Sequence, residues 1–161
     1  MSETGRSARS VAAAAQREVL TAASPAPGSN TLRVPWRPTS VGRVRRALVL
    51  DLTSRGVPPT TIDESEIVVS ELLSNAIRHA SPLSDGNLRV HWKVKAGVVE
   101  VEVTDGGGET TPRPAPRSVW APSGRGLRIV RSLAHEWGVA DDRHGSTVWA
   151  SLGGPSRRRS R

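Results

Sequence analysis

Glu71-Leu-Leu-Ser-Asn-Ala-Ile-Arg-His79, then Asp105-Gly-Gly-Gly108, then Ser123-Gly-Arg-Gly-Leu127: these three stretches, in this order, decide the reading of the chain. The first is helical by pattern. At about 100° per residue, Glu71, Asn75 and Arg78 share a stripe roughly 60° wide, and Val69, Leu72, Leu73, Ala76, Ile77 and Ala80 lie opposite. Such a helix rests an apolar back on a core and turns a carboxylate, a carboxamide and a guanidinium outward. The ordinary reading is a solvated face, and two details argue against it. Asn is a poor helix former at an exposed interior position. The stripe also lacks the Glu–Lys pairs at four-residue spacing that decorate a merely soluble face. The second stretch is an Asp closing a strand, and the third is a glycine turn opening another helix. Together they are the parts needed to hold a nucleotide and a hydrated cation, with one carboxylate left to take a proton.

Outward from these motifs, 161 residues suffice for one domain with a proper core. The chain has no cysteine, which rules out disulfides and thiolate chemistry and suits a cytoplasmic location. The longest apolar run near the start, Val11 to Ala15, is too short for a signal-peptide core, and nothing approaches a membrane span. The net charge of +8 invites a nucleic-acid partner, but its distribution argues otherwise. Residues 31–155 hold 16 basic and 13 acidic residues, and the rest of the excess sits in the two ends, above all Ser156-Arg-Arg-Arg-Ser-Arg161. The expected organisation is a disordered tail over 1–30, a domain over 31–152 and a basic tail over 153–161.

Within the domain, Leu32 to Trp36 reads as an edge strand, since Pro35 has no amide to donate. Thr39 or Ser40 is expected to cap a helix to about Arg55, with Val41, Val44, Leu48 and Leu52 inward. Thr60 or Thr61 is expected to cap the helix that carries Glu71, with Asp63 and Glu64 in its first turn and Ser81-Pro82 at its end. Leu88, Val90, Trp92 and Val94 alternate with Arg89, His91, Lys93 and Lys95, and Val99, Val101 and Val103 alternate with Glu100 and Glu102. A turn at Ala96-Gly97 sets Val94 against Val99, Trp92 against Val101, Lys93 against Glu100 and His91 against Glu102. Ala-Gly is not the favoured two-residue turn, so a longer loop with the same pairing stays open. His91 is then an outward cross-strand partner, and no histidine pair has metal-ligand spacing.

Gly106 to Ser123 holds four prolines and no apolar periodicity, the composition of a functional lid or a disordered excursion. Gly124-Arg-Gly126 opens a helix whose Leu127, Val130, Leu133, Ala134 and Trp137 recur at helical spacing. Glycine amides at a helix N-terminus form an anion site. A P-loop is excluded because no Gly-Lys-Ser/Thr follows, and a dinucleotide fingerprint because Ile129 stands where a third small residue belongs. A final hairpin is expected over Gly138–Asp141 and Thr147–Leu152, turning through Asp142 to Gly145.

Taken together, Glu71–Ala80, Val103-Thr-Asp-Gly-Gly-Gly108, Ser123–Ala134 and Gly145-Ser-Thr-Val-Trp149 resemble the GHKL ATP-binding fold. Within it they resemble the bacterial anti-sigma-factor serine/threonine kinases in their stand-alone form. The resemblance spans about residues 32–152. It implies an α/β two-layer sandwich, a mixed but mostly antiparallel sheet backed by helices, with ATP and Mg²⁺ held beneath a lid. Carried over by position, Asn75 would bind Mg²⁺ and Asp105 would accept the adenine amino group. Gly107 would let the base approach the backbone. Gly124, Gly126 and Leu127 would meet phosphates through the backbone, with Arg78 and Arg125 as further phosphate contacts. Thr147 would reach the adenine side, and Glu71 would be the general base. The chain departs from the family pattern at Glu109, where the second glycine of Asp-x-Gly-x-Gly belongs. The implied activity is phosphorylation of a regulator protein of the anti-anti-sigma type, with a sigma factor as a further partner and a homodimer as a possible state. The alternatives are a nucleotide-gated protein-binding module without turnover, and a nucleic-acid binder acting through the arginine-rich ends.

Overall fold

The structure is a computed structural model and describes residues 27–108 and 124–154. The chain runs β1 (Ser29–Pro35), α1 (Thr39–Ser54), α2 (Pro59–His79), β2 (Asn87–Lys95), β3 (Val98–Asp105), α3 (Gly124–Leu133), β4 (Glu136–Asp142) and β5 (Gly145–Leu152). The alternation read in β2 and β3 sets the sheet. Its five strands lie in the order β1-β2-β3-β5-β4, and every pairing among the described residues is antiparallel. The two-layer α/β sandwich is as expected, and the sheet is antiparallel throughout rather than mixed.

The β2–β3 register is the one the side chains predict: Val94 meets Val99, Lys93 Glu100, Trp92 Val101 and His91 Glu102. The turn is the short one. Ala96 at φ 50° and Gly97 at φ 75° both enter the left-handed region that a twist-matched two-residue hairpin requires. Lys93 and Glu100 form an ion pair at 2.8 Å, and His91 Nδ1 lies 2.7 Å from the Thr31 hydroxyl on the neighbouring strand.

Because side chains alternate, one sheet face carries Val34, Leu88, Val90, Trp92, Val99, Val101, Val103, Ala150 and Leu152, all buried. The helices cover that face. Val44, Leu48 and Leu52 of α1 and Val68, Val69, Leu72, Leu73 and Ala76 of α2 complete the core, with Val41 and Ile77 packed at its margin. Trp92 is among the largest fully buried side chains, and its indole N–H donates to Asp51 Oδ2 at 2.7 Å, which also accepts from Arg55. α2 is the central helix. It packs against α1 on one side and α3 on the other, over β3 and β5.

The helix starts differ from expectation. Pro38 precedes α1 and no side chain caps it; the Ser40 hydroxyl instead donates to the Pro35 carbonyl. α2 begins at Pro59, ahead of Thr60 and Thr61, because a proline at the first helical position needs no amide partner and presets φ. Asp63 and Glu64 therefore lie beyond the first turn, while Arg78 and His79 occupy the last one, where the helix dipole favours cations. At the far end, Trp137 does not continue α3. The helix stops at Leu133, and Trp137 pairs with Ala150 in β4. The last hairpin is longer than its apolar residues suggest. Asp142 and Gly145 form its closing pair, and Asp142 Oδ1 accepts from the amides of His144 and Gly145.

Candidate functional site

α2 buries its apolar side and leaves Glu71 and Asn75 half-buried and Arg78 exposed. None of the three side chains bonds to another described residue, so a carboxylate, a carboxamide and a guanidinium all remain open to a ligand. On an ordinary solvated face Glu71 would be paired or fully exposed. Here Glu71 and Asn75 sit partly sunk on the flank of the central helix.

Asp105 closes β3 on the helix-covered face, continuing the inward series Val99, Val101 and Val103. Only 6% of it is exposed. Its Oδ1 accepts from the Gly107 amide at 2.7 Å, and the other carboxylate oxygen takes no bond from a described residue. That oxygen keeps some contact with solvent. Burial pushes the carboxyl up to about 6; the Gly107 amide opposes this, and Asp141 adds to it. A buried acceptor with one oxygen still unfilled by a described residue suits a neutral donor.

Two backbone bonds fix this acceptor relative to α2. Gly106 N donates to the Ser81 carbonyl at 2.8 Å, and Ser81 N donates to the Gly107 carbonyl at 3.0 Å. The strand end carrying Asp105 is thereby stitched to the residues that leave α2, one turn past Asn75. Gly106 has to be glycine, since a Cβ there would overlap the Pro82 carbonyl. Gly107, at φ 85°, has nothing within 4 Å of where a Cβ would stand, which leaves the open approach that the sequence reading asked of it. Gly106→Ala is therefore expected to lower stability by about 2–4 kcal/mol, because backbone rather than a flexible side chain must yield. Urea unfolding measures it, and a loss under about 0.5 kcal/mol, the size of an ordinary surface change, would contradict the stitching role.

Thr147 does not join this group. It pairs with Thr104, their hydroxyls 2.8 Å apart, on the sheet face away from the helices. Ser146 is the direct partner of Asp105 and shares its face. The physical reason is the period of two: a shift of one residue moves a side chain to the opposite face. The signal was in the sequence, since Val148, Ala150 and Leu152 alternate inward and extend back to Ser146, not to Thr147. Removing the Ser146 hydroxyl should weaken adenine-nucleotide binding by about 3–10-fold, the worth of one neutral hydrogen bond, and Thr147→Val should leave it unchanged. Titration calorimetry with equal losses in both variants would refute the assignment.

The third motif opens α3, as expected. Leu127 and Val130 are buried and fasten the first turns of α3 onto the core, with α3 packed on α2. The backbone of Gly124, Arg125, Gly126 and Leu127 thus forms the N-terminus of a ten-residue helix, where free amides and the dipole favour an anion. The Arg125 side chain, Glu109 and the lid residues up to Ser123 lie outside the described residues.

The comparisons with known proteins agree with this geometry. The profile of the histidine kinase-like ATPase domain matches residues 34–152. The chain belongs to that family. No curated protein matches it. Membership implies ATP as the ligand, usually with Mg²⁺. The residues present fit that pair: an open buried acceptor for the base, a helix N-terminus for phosphates, and an uncommitted carboxamide on the facing helix for a hard cation that keeps most of its waters. No described helix is long and apolar enough to cross a membrane.

Proposed function

We propose that this ATPase domain is a cytoplasmic serine/threonine protein kinase of the anti-sigma-factor type, acting on a regulator protein. The observation that carries the reading is the position of Glu71. It is a half-buried carboxylate that no described residue pairs, one turn before Asn75, about 6 Å along the α2 axis and on the flank away from the Arg45–Glu66 link to α1. In this scheme Asp105 and Ser146 select adenine, Gly107 admits it, and Asn75 holds Mg²⁺ with the phosphates. The amides of Gly124, Gly126 and Leu127, with Arg78 and Arg125, bind phosphate. Mg²⁺ when bound supplies charge neutralisation. The acceptor hydroxyl oxygen bonds to the terminal phosphorus, the bond to the bridging oxygen breaks with its electron pair leaving on ADP, and the hydroxyl proton passes to Glu71.

Asn75→Ala tests the metal assignment. ATP affinity should fall at least tenfold in millimolar Mg²⁺ and hardly at all in excess chelator, because the carboxamide oxygen matters only when a hard cation is there to accept it. An equal loss under both conditions would make Asn75 a structural residue. A kinase acting on an anti-anti-sigma regulator would also hold a sigma factor in one nucleotide state.

A further inference from the structure

The end of the sheet that carries Asp105 holds a second carboxylate, one the ATP scheme does not use. In β4 the side chains of Trp137, Val139 and Asp141 alternate onto the helix-covered face, where Trp137 packs on the core. Strand pairing then sets one row across three strands, with Asp105 opposite Ser146 and Ser146 opposite Asp141. Two strand spacings put the Asp141 backbone about 10 Å from that of Asp105, with a serine between them. Asp142, the next residue, is engaged elsewhere: its Oδ1 accepts from the hairpin amides of His144 and Gly145.

The two carboxylates differ in their surroundings. Asp141 is exposed, whereas Asp105 is buried with the Gly107 amide as its described donor. Cations on the neighbouring elements do not compensate for the pair. Arg78 and His79 in the last turn of α2, and Arg143 and His144 at the hairpin tip, all stand in solvent. Arg89 pairs with Thr104 on the opposite sheet face, and Ser81 and Pro82, which meet the strand end at Gly106, carry no charge. Burial does most to push the Asp105 carboxyl up, and Asp141 is the charge that pushes it further. A like charge disfavours ionisation, by about 0.3–1 pH unit at about 10 Å near a protein surface.

We propose that Asp141 is a positioning residue of the nucleotide site: acting on Asp105 across Ser146, it sets how acid the medium must become before the site releases ATP. The inference rests on Asp105 as the adenine acceptor and holds whether or not the bound ATP is turned over. The sign follows from the chemistry of the acceptor. Adenine needs the ionised carboxylate, so affinity falls as the medium acidifies and Asp105 takes up its proton. With Asp141 neutralised, Asp105 keeps its charge to lower pH and ATP stays bound further into the acid range. Asp141 does this without touching the ligand.

The test titrates the full chain with ATP and Mg²⁺ by calorimetry from pH 5 to pH 8, as parent, Asp141→Asn and Asp141→Glu. Carbon NMR follows the Asp105 carboxyl in the same ligand-free proteins. Protonation of the ligand's phosphates is common to all three and cancels in the comparison. Parent and Asp141→Asn should bind alike at pH 8, and at pH 5 the variant should bind about 2–10-fold more tightly. Its Asp105 carboxyl should titrate about 0.3–1 pH unit lower than the parent's. Asp141→Glu keeps the charge and should keep the parent profile. So should Asp63→Asn, which removes an equal charge from an exposed position near the start of α2. An Asp141→Asn protein with the parent's ATP profile and the parent's Asp105 titration would overturn the inference. So would equal changes at every pH in the Asn and Glu variants, which would make Asp141 structural. A parent whose ATP affinity ignores pH while Asp105 titrates would instead remove the adenine assignment beneath it.

Discussion

Asp105→Asn should make the ligand-free protein more stable and nearly abolish its use of ATP. The two effects share one cause. The carboxyl is buried at the end of β3 with a single backbone amide to satisfy it, and its folded value of about 6 stands above the 3.8 of the unfolded chain. The folded state therefore binds the proton more tightly, and stability falls as pH rises from about 4 to about 6, then stays reduced. A shift of that size corresponds to roughly 3 kcal/mol, and solvent reaching the outer oxygen reduces it to about 1–2 kcal/mol. Asparagine keeps an oxygen for the Gly107 amide and removes the charge. The variant should gain that stability at pH 7.5 and lose the advantage below pH 4, which urea unfolding across pH can follow.

Binding goes the other way. An ionised acceptor facing an exocyclic amine contributes on the order of 2–3 kcal/mol in a buried site, so the variant should bind ATP about 30–150-fold more weakly. The parent should bind GTP poorly, since guanine sets a carbonyl against the carboxylate. Its ATP affinity should also decline below pH 6, as Asp105 takes up the proton that turns its acceptor into a donor. Unchanged stability together with unchanged ATP affinity in Asp105→Asn would remove Asp105 from the site.

Much of this was legible because the strands are amphipathic in both senses. In β2 and β3, valines and Trp92 fixed one face, and the Lys93–Glu100 and His91–Glu102 pairs fixed the register, so two independent patterns named the same partner for every residue. α2 was legible for the same reason. What failed was local. Thr39, Ser40, Thr60 and Thr61 look like caps, but the prolines at 38, 58 and 59 start both helices without them. Trp137 satisfies helical spacing and strand alternation equally well, and only its pairing with Ala150 separates the two. The motif names Thr147, whereas the inward run of Val148, Ala150 and Leu152 puts Ser146, by parity, on the face that Asp105 shares. The stitch from Gly106 to Ser81 joins segments far apart in the chain and left no pattern to read.

The central claim is that Glu71 accepts the proton of an attacking hydroxyl. A base must lie within hydrogen-bond reach of that hydroxyl, and the Glu71 carboxylate, which no described residue pairs, stands one turn before Asn75, the proposed Mg²⁺ ligand. Glutamine keeps the shape and the hydrogen-bonding oxygen and loses only basicity, so Glu71→Gln should hold ATP within a few-fold of the parent. General-base loss alone accounts for about 10²–10⁴-fold in rate, enough to take phosphorylation below detection. The direct measurement is transfer of labelled γ-phosphate from ATP to the co-purified partner protein, in parent and variant at matched ATP occupancy. The parent is predicted to label a serine or threonine of the partner and Glu71→Gln to leave it unlabelled. A parent that binds both ATP and partner without labelling the partner, or a variant that labels it at the parent's rate, would contradict the account.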